Sequence, residues 1–546
     1  MVKVTIDNRE LEVREGLTIL QAAQEAGIEI PHYCYHPGLR LAGCCRMCQV
    51  EVAGVGKLQT ACNTPVRSGM VVFTANDRVR QAQQAVMEFL LLNHPLDCPV
   101  CDQAGECGLQ NYYMAYGRNG SRLADDKLLR QKAKPIGPTI ILDQDRCILC
   151  LRCIRFCQDV PKTAELGVFH RGDHSTVDIY PGQELDNPYS GNVADICPVG
   201  ALTDRDFRFQ VRVWYLRSGD SICTGCSRGC NLTVYFNPER HHHAQGRRIV
   251  RLKPRFHAEV NGHWICDEGR YAYRGLDEKR LDTPLRQTGG RAAKTTWKEL
   301  LPEIAARLQA LLQSHGPSAV AVWGSPQLPN EDLYLIRNLF QEKLGVGQLA
   351  FGNPAEPAGS ADTLLREADK NPNRRGALWA GWQNDFPDGA DLKSLLRSGR
   401  IKGLFVFRNE PVPLFTREEW AEQAGRLELL VAVGTSQSLA VDQAHYVLPA
   451  AVHVEREGTF TNSAGRVQRF YRVVDPLGEA LPEWQIVQRL ALALGVECPH
   501  RSCEAIFREL AAGHPTAKEW TYASLGNSGA LLEGSASPAS RGGAEG

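Results

Sequence analysis

The sequence has no net charge and no long apolar run. Its 62 basic residues balance 62 acidic residues, so the overall charge does not favour binding to nucleic acid or to an anionic membrane. The longest apolar stretches, such as 89–92 and 429–433, are far too short to span a bilayer. The first residues lack the apolar core of a signal peptide. We therefore expect no signal peptide and no transmembrane segment, and contact with a membrane only through partner subunits.

Two further absences concern chemistry. No strand–GxGxxG–helix unit occurs, so we expect no Rossmann-type site for NADH or flavin. Cysteine is missing between Cys266 and Cys498, which leaves no thiolate in that stretch to bind molybdenum. The length of 546 residues predicts several globular domains, because single hydrophobic cores stop growing well below that size.

Cysteine is, by contrast, concentrated in the first half of the chain. Fifteen of the 19 cysteines and one histidine form four groups of four. Clustered spacings without a secretion signal favour metal binding over disulfides. Three of the groups have three closely spaced ligands and a distant fourth, which favours iron–sulfur clusters; zinc, whose ribbons use two CxxC pairs, is the alternative. The groups are Cys34, Cys45, Cys48 and Cys62; His94, Cys98, Cys101 and Cys107; Cys147, Cys150, Cys153 and Cys197; and Cys223, Cys226, Cys230 and Cys266.

Residues 1–78 read as strand, strand, helix and cysteine-bearing loop. Alternating apolar residues predict a hairpin from residues 2–6 and 11–13, and a helix over 19–26 follows. This order is typical of a β-grasp ferredoxin, whose four thiolates suit a [2Fe–2S] cluster. Cys44 competes with Cys45 as the second ligand. The two-residue gap before Cys48 favours Cys45, which leaves Cys44 as a small buried residue beside the cluster.

Residues 79–118 carry the group that contains a histidine. An amphipathic helix, with Phe89 on its packed face, is expected to end before His94. The three cysteines that follow lack a fourth thiolate, and His94 supplies the missing donor. A neutral imidazole makes a cluster less negative and should favour its reduced state, as in Rieske centres. We expect a [4Fe–4S] cluster with three cysteines and one histidine.

Residues 139–215 contain a cysteine run with the spacing of bacterial ferredoxins, from Cys147 to Cys157. In two-cluster ferredoxins the fourth cysteine of each run binds the other cluster. The second run should end at Cys197, but none of the positions four, seven and ten residues before it is a cysteine. The sequence therefore predicts one [4Fe–4S] cluster here, with Cys157 as a buried free thiol.

The last group lies in residues 216–272 and resembles the [4Fe–4S] module that opens molybdopterin oxidoreductases. The gap before Cys266 is longer than usual in that family, which suggests an exposed insertion at 238–246 around the histidines at 241–243. Residues 273–524 alternate helices with apolar strands and predict an α/β domain with a largely parallel sheet. The segment 454–468 resembles the molybdopterin oxidoreductase fold.

This α/β region is too short for a complete catalytic molybdopterin unit. We therefore expect a degenerate domain that binds no molybdopterin. Residues 525–546 are rich in glycine, serine and alanine and are predicted to be disordered. The predicted fold class is thus multidomain, with α/β and α+β parts.

Four modules in this order resemble the family of the large iron–sulfur subunit of respiratory complex I, the NADH-quinone oxidoreductase. The resemblance covers nearly the whole chain. Its departures from the family pattern are Cys44, the long gap before Cys266 and the short C-terminal half. The resemblance is most specific in the segments 34–37, 43–48, 94–101 and 196–202.

The resemblance implies an electron relay in the peripheral arm of complex I, with one [2Fe–2S] cluster, three [4Fe–4S] clusters and no catalytic residue. A flavoprotein partner with NADH and FMN sites would supply single electrons, and other subunits would carry the quinone site. A small [2Fe–2S] subunit and further peripheral-arm subunits are also implied, at the cytoplasmic side of the cell membrane. In this family the Cys223 group lies off the main electron path.

Two alternatives remain open. Soluble NAD-linked hydrogenases and formate dehydrogenases use similar electron-input subunits. The cysteine-free stretch 267–497 argues against a catalytic hydrogenase chain, and a catalytic formate dehydrogenase would need a bound pterin. The second alternative is a zinc protein that organises an assembly without redox chemistry.

Overall fold

A computed structural model of the protein describes residues 1–239, 242–288, 291–352, 361–387, 390–408 and 414–532. The chain divides into two compact units. The first comprises Met1–Leu216 with Asn237–Gly246, and the second comprises Arg217–Phe236 with the chain from Arg247 onward. No helix in the described part of the chain combines the length and apolarity needed to cross a membrane.

The first unit begins with a five-stranded mixed sheet in the order β2-β1-β5-β3-β4, covered by helix α1. Strands β1 and β2 form the predicted hairpin around Asp7 and Asn8, whose φ angles of 45° and 65° allow a tight two-residue turn. Thr18 caps α1 with a capping box to Gln21. The elements are β1 (Val2–Ile6), β2 (Arg9–Val13), α1 (Ile19–Glu25), β3 (Gln49–Val52), β4 (Gln59–Thr60) and β5 (Met70–Phe73).

Two helices flank the histidine-containing segment: α2 (Asp77–Leu91) and α3 (Gly108–Tyr116). Helix α2 ends before His94, as the sequence predicts, and Val79 on its inner face is fully buried. Phe89 is 71% exposed, so the prediction that it packs against neighbouring elements is wrong.

The ferredoxin-like region of the first unit has a three-stranded sheet in the order β10-β7-β6 and a separate β8–β9 pair. Leu151 is the residue directly before helix α4, and its φ of 61° places it in the left-handed region. The chain turns there, between the loop that carries Cys147 and Cys150 and the helix that carries Cys153. The elements are β6 (Lys134–Pro135), β7 (Ile140–Leu142), α4 (Arg152–Asp159), β8 (Leu166–Phe169), β9 (Thr176–Ile179), α5 (Asn192–Ile196) and β10 (Leu202–Asp204).

The second unit opens with an antiparallel sheet of β11 (Arg217–Ile222), β12 (Asn231–Phe236) and β13 (Ile249–Pro254), followed by the short helix α6 (Asp267–Arg270). The predicted insertion is the connection between β12 and β13, and it is assigned to the first unit. His241 lies outside the described residues.

A seven-stranded sheet forms the α/β core of the second unit, in the order β15-β14-β20-β19-β18-β16-β17. The five strands from β16 to β20 are parallel to one another, which confirms the predicted parallel sheet; β14 and β15 add an antiparallel edge. The strands are β14 (Leu285–Thr288), β15 (Arg291–Lys294), β16 (Val320–Gly324), β17 (Gln348–Phe351), β18 (Gly403–Phe407), β19 (Leu429–Gly434) and β20 (Tyr446–Pro449).

Helices cover both faces of this sheet. Alternate residues of β18 enter different cores: Phe405 and Phe407 face one layer, and Leu404 and Val406 face the other. Helix α8 ends at Arg337, and the chain continues directly as a π-helix from Asn338 to Lys343. The helices are α7 (Trp297–His315), α8 (Asn330–Arg337), α9 (Arg374–Trp379), α10 (Leu392–Arg397), α11 (Arg417–Ala424), α12 (Leu439–Gln443), α13 (Glu483–Ala493), α14 (Cys503–Ala512) and α15 (Tyr522–Leu525).

The end of the described chain joins a small antiparallel sheet of β21 (Gly458–Thr461), β22 (Arg466–Phe470) and β23 (Ala530–Leu531). Residues 525–532 therefore contain a helix end and a paired strand, and the prediction of disorder is wrong for them. The remainder of the predicted tail, 533–546, lies outside the described residues.

Candidate metal centres

The first cysteine group lies in the long loop between α1 and β3 and in the turn after β4. Three of its thiols, those of Cys34, Cys48 and Cys62, are almost fully buried. The Cys34 thiol contacts the thiols of Cys45 and Cys62, and the backbone N–H of Cys34 donates to Cys45 Sγ at 3.4 Å. A hydrogen bond from Cys62 lowers the pKa of the Cys48 thiol. The structure therefore brings all four predicted ligands together.

Cys44 differs from the prediction of a small buried residue, because it is exposed. Its thiol nevertheless reaches inward and contacts the thiol of Cys34. It also donates to the carbonyl oxygen of Cys150 at 3.6 Å. Cys44 thus lies between the first and third cysteine groups, and the choice of Cys45 over Cys44 as a ligand stays a prediction.

The second group surrounds a small cavity lined by His94, Cys98, Cys101 and Cys107. Burial lowers the pKa of His94 to about 4, so its imidazole is neutral at physiological pH, as a metal ligand must be. Its Nδ1 atom is buried without a hydrogen-bond partner in the described structure. The site thus holds a neutral, buried nitrogen donor beside three thiols.

Gly200 forms part of the wall of this second cavity. A β-carbon at this position would lie 2.5 Å from Cys101 Sγ, closer than real atoms approach. The position therefore accepts only glycine while Cys101 keeps its place. Sequence reasoning did not assign Gly200 to this site.

The third group lines a cavity at the start of α4 and the end of α5: Cys147, Cys150, Cys153 and Cys197. Burial raises the pKa of Cys147 to about 12 and that of Cys150 to about 11. The backbone N–H of Leu149 donates to Cys147 Sγ at 3.4 Å. Protonated thiols are favoured here only until a metal supplies positive charge.

Cys157 is fully buried, as predicted for the leftover thiol, and it lies beside Glu165 rather than in the cavity of the third group. Burial raises its pKa to about 12. Asn187, at one of the positions where a second cysteine run would continue, donates to Glu165 Oε1 at 2.9 Å. Cys157 thus lies in a buried polar cluster with Glu165 and Asn187.

The fourth group joins the turn between β11 and β12 to the start of α6, and all four cysteines are buried. Cys223 Sγ accepts from the Gly225 N–H, and Cys266 Sγ accepts from the Gly269 N–H, both at 3.4 Å. A β-carbon at Gly269 would lie 2.9 Å from Cys223 Sγ. Burial raises the pKa of Cys266 to about 11.

The thiols of the four groups and the imidazole of His94 are donor types that bind iron in iron–sulfur clusters. The third and fourth sites gather four thiols each, and the first, third and fourth sites include backbone N–H groups that donate to sulfur, the kind of contact that tunes cluster potentials. Among the described residues, no three His, Cys, Asp or Glu side chains are placed to hold a single metal ion. Cluster ligands bind separate irons and therefore lie around a larger space.

Family comparisons divide the chain into the same kinds of module. Residues 1–77 match the 2Fe-2S iron-sulfur cluster binding domain, and 83–122 match the NADH-ubiquinone oxidoreductase-G iron-sulfur binding region. Residues 137–203 match the ferredoxin-like domain of NADH-quinone oxidoreductase subunit 3. The molybdopterin oxidoreductase Fe4S4 domain matches 216–277, and the molybdopterin oxidoreductase family matches 280–376 and 377–493.

Two relatives agree with these matches, and one solved structure is also similar in part. The mitochondrial NADH-ubiquinone oxidoreductase 78 kDa subunit of Candida albicans is 40% identical, over 91% of this chain and 83% of its own length. A NADH-quinone oxidoreductase subunit of Rickettsia felis is 41% identical over 63% of this chain, and that match spans 49% of the relative's length. A solved NAD+-reducing [NiFe]-hydrogenase shares 30% identity over 39% of this chain and 91% of its own, with a TM-score of 0.36.

Proposed function

This chain belongs to the family of the large iron–sulfur subunit of NADH-quinone oxidoreductase, and we propose that it relays single electrons within such a complex. The electrons would come from a flavoprotein partner that oxidises NADH and would leave toward quinone on other subunits. The observation that carries this proposal is the convergence of four buried or partly buried ligand sets, three of them in the first compact unit.

We assign one cluster to each ligand set. Cys34, Cys45, Cys48 and Cys62 would hold a [2Fe–2S] cluster, and the three other sets would each hold a [4Fe–4S] cluster. Such clusters supply one-electron carriers when bound. The protein's own contribution is to bury the ligands, exclude water and direct N–H groups at sulfur, which sets the potentials.

The C-terminal α/β domain acts as a scaffold in this account, without molybdopterin. The support is the lack of cysteine between Cys266 and Cys498. We also propose that the chain binds no flavin of its own and no nucleic acid. It would meet the membrane only through partner subunits, on the cytoplasmic side.

Identification of the partner subunits tests this function. Affinity purification under anaerobic conditions, followed by identification of the co-purifying subunits, should find a flavoprotein with NADH and FMN sites, a small [2Fe–2S] subunit and further peripheral-arm subunits. Adding NADH to the purified complex should reduce clusters of this chain. Co-purification with a hydrogenase or formate dehydrogenase catalytic subunit would replace the proposal with the alternative electron-input role.

A further inference from the structure

Two arginines of α4 connect the ligand loops of the first and third sites. Arg155 Nη2 donates to the carbonyl oxygens of Cys34 at 2.5 Å and of Cys150 at 3.4 Å, so one guanidinium contacts a proposed ligand of each cluster. Arg152 makes a parallel bridge. Its Nη1 donates to the Ile196 carbonyl at 3.1 Å and its Nη2 to the Tyr35 carbonyl, and these residues adjoin Cys197 and Cys34.

Neither guanidinium has a carboxylate partner within the described chain. All their hydrogen bonds go to backbone carbonyls. Arg155 is only 8% exposed, and Arg152 Nε is buried without an acceptor. Both residues lie in the first turn of α4, where the helix dipole disfavours a cation.

Burying a cation without a counter-charge is strongly unfavourable, because the charge loses its hydration. The neighbouring carbonyls accept hydrogen bonds from the two arginines but leave their positive charge without a partner. The proposed clusters supply the missing negative charge. Four thiolates around an oxidised cluster core leave a net charge of about −2, and one-electron reduction makes it about −3.

We propose that Arg152 and Arg155 are positioning residues that fix the spacing of the two ligand loops and serve as a shared counter-charge for both clusters. Because a cation is attracted more strongly to the more negative form, the pair raises the reduction potential of the first and third sites together. An electron that passes from one site to the other thus stays beside the same cations. This inference rests on the proposed function, since it requires a cluster in each site.

The test is a redox titration followed by EPR on the purified complex that contains the full chain. Arg155→Gln should lower the reduction potentials of both the [2Fe–2S] cluster and the Cys147-group cluster. The expected change is at least tenfold in each reduction equilibrium, which is 59 mV for one electron. The potential of the His94-group cluster should stay unchanged. Arg155→Lys, which keeps the charge, should recover most of each shift.

Arg40→Gln is the matched control. Arg40 belongs to the ligand loop of the first site, but its side chain is exposed and already pairs with Asp159. Its replacement should therefore leave the reduction potentials of both clusters unchanged. The proposal of a shared counter-charge would be overturned if Arg155→Gln left both reduction potentials unchanged. It would also be overturned if Arg155→Gln and Arg155→Lys shifted them equally. If the complex with Arg155→Gln fails to assemble, the test is made on Arg152→Gln, whose position is half-buried. The same two reduction potentials should fall in that variant. A wild-type complex without these two cluster signals would instead refute the proposed function.

Discussion

Gly200 and Cys101 lie so close that a single methyl group does not fit between them: a β-carbon on Gly200 would come within 2.5 Å of Cys101 Sγ. The two residues are 99 positions apart in the sequence and meet in the wall of the His94 cavity. A backbone position thereby fixes the location of a proposed iron ligand.

Gly200→Ala should therefore displace Cys101 and weaken the His94-group cluster. We expect loss or broadening of one [4Fe–4S] EPR signal, while the [2Fe–2S] signal persists. Gly56→Ala is the control, because no atom lies within 4 Å of the added β-carbon there. A full set of unperturbed signals in Gly200→Ala would show that the site tolerates the methyl group.

His94→Ala should perturb only one [4Fe–4S] signal. His94→Cys should restore a four-ligand site but lower its potential, because a thiolate adds a negative charge where the imidazole is neutral. The measurement is EPR with redox titration, and His174→Ala, at an exposed position, is the control. Spectra identical to wild type in His94→Ala would exclude His94 as a ligand.

Cys157→Ser should leave the iron content unchanged, because Cys157 lies outside the cavity of the third group. A hydroxyl at this fully buried position should reduce stability by about 1–3 kcal/mol. Iron analysis and thermal unfolding measure the two effects. Cys153→Ser, which removes a proposed ligand, should instead lose the third cluster; an equal loss in Cys157→Ser would make Cys157 a ligand.

Glu331 predicts a pH dependence of stability in the C-terminal domain. Burial raises its pKa from 4.5 to about 7, and it accepts hydrogen bonds from Thr459 and Tyr522 without a cation partner in the described structure. The folded state therefore holds a proton that the unfolded chain releases near pH 4.5. The contribution of protonated Glu331 to the free energy of unfolding is fully present below that pH. It is lost as the pH rises toward about 7, which lowers the free energy of unfolding by about 3 kcal/mol.

Glu331→Gln cannot ionise, so its unfolding midpoint should fall less than that of wild type as the pH is raised through this window. Thermal unfolding across the window measures the difference. Glu497→Gln, at an exposed position, should follow wild type. Parallel pH profiles for wild type and Glu331→Gln would contradict the assignment of a buried protonated carboxyl.

The sequence was sufficient for the order of modules because each module carries a local signal. The cysteine run before α4 and the alternation in β1 and β2 span only a few residues each, and the parallel strands are continuous apolar runs. The family comparisons confirm the resemblance and the kinds of domain. The ligand assignments stay predictions, which the structure supports by bringing each set together.

The features that the sequence did not predict depend on contacts between distant segments. Arg155 meets the Cys34 carbonyl across 121 residues, and the Cys44 thiol meets the Cys150 carbonyl across 106. Phe89 fits the apolar face of a helix by its spacing, yet it is exposed. The only sequence signal for the arginines is their three-residue spacing around Cys153, which puts both on one face of a helix.

The most direct test of the central claim is the metal content of the chain purified anaerobically in its complex and then separated without loss of its clusters. One [2Fe–2S] and three [4Fe–4S] clusters predict about 14 irons and about 14 acid-labile sulfides per chain, without stoichiometric zinc or molybdenum. Abundant zinc without labile sulfide would contradict the electron relay, and stoichiometric molybdenum or tungsten would contradict the scaffold role of the C-terminal domain.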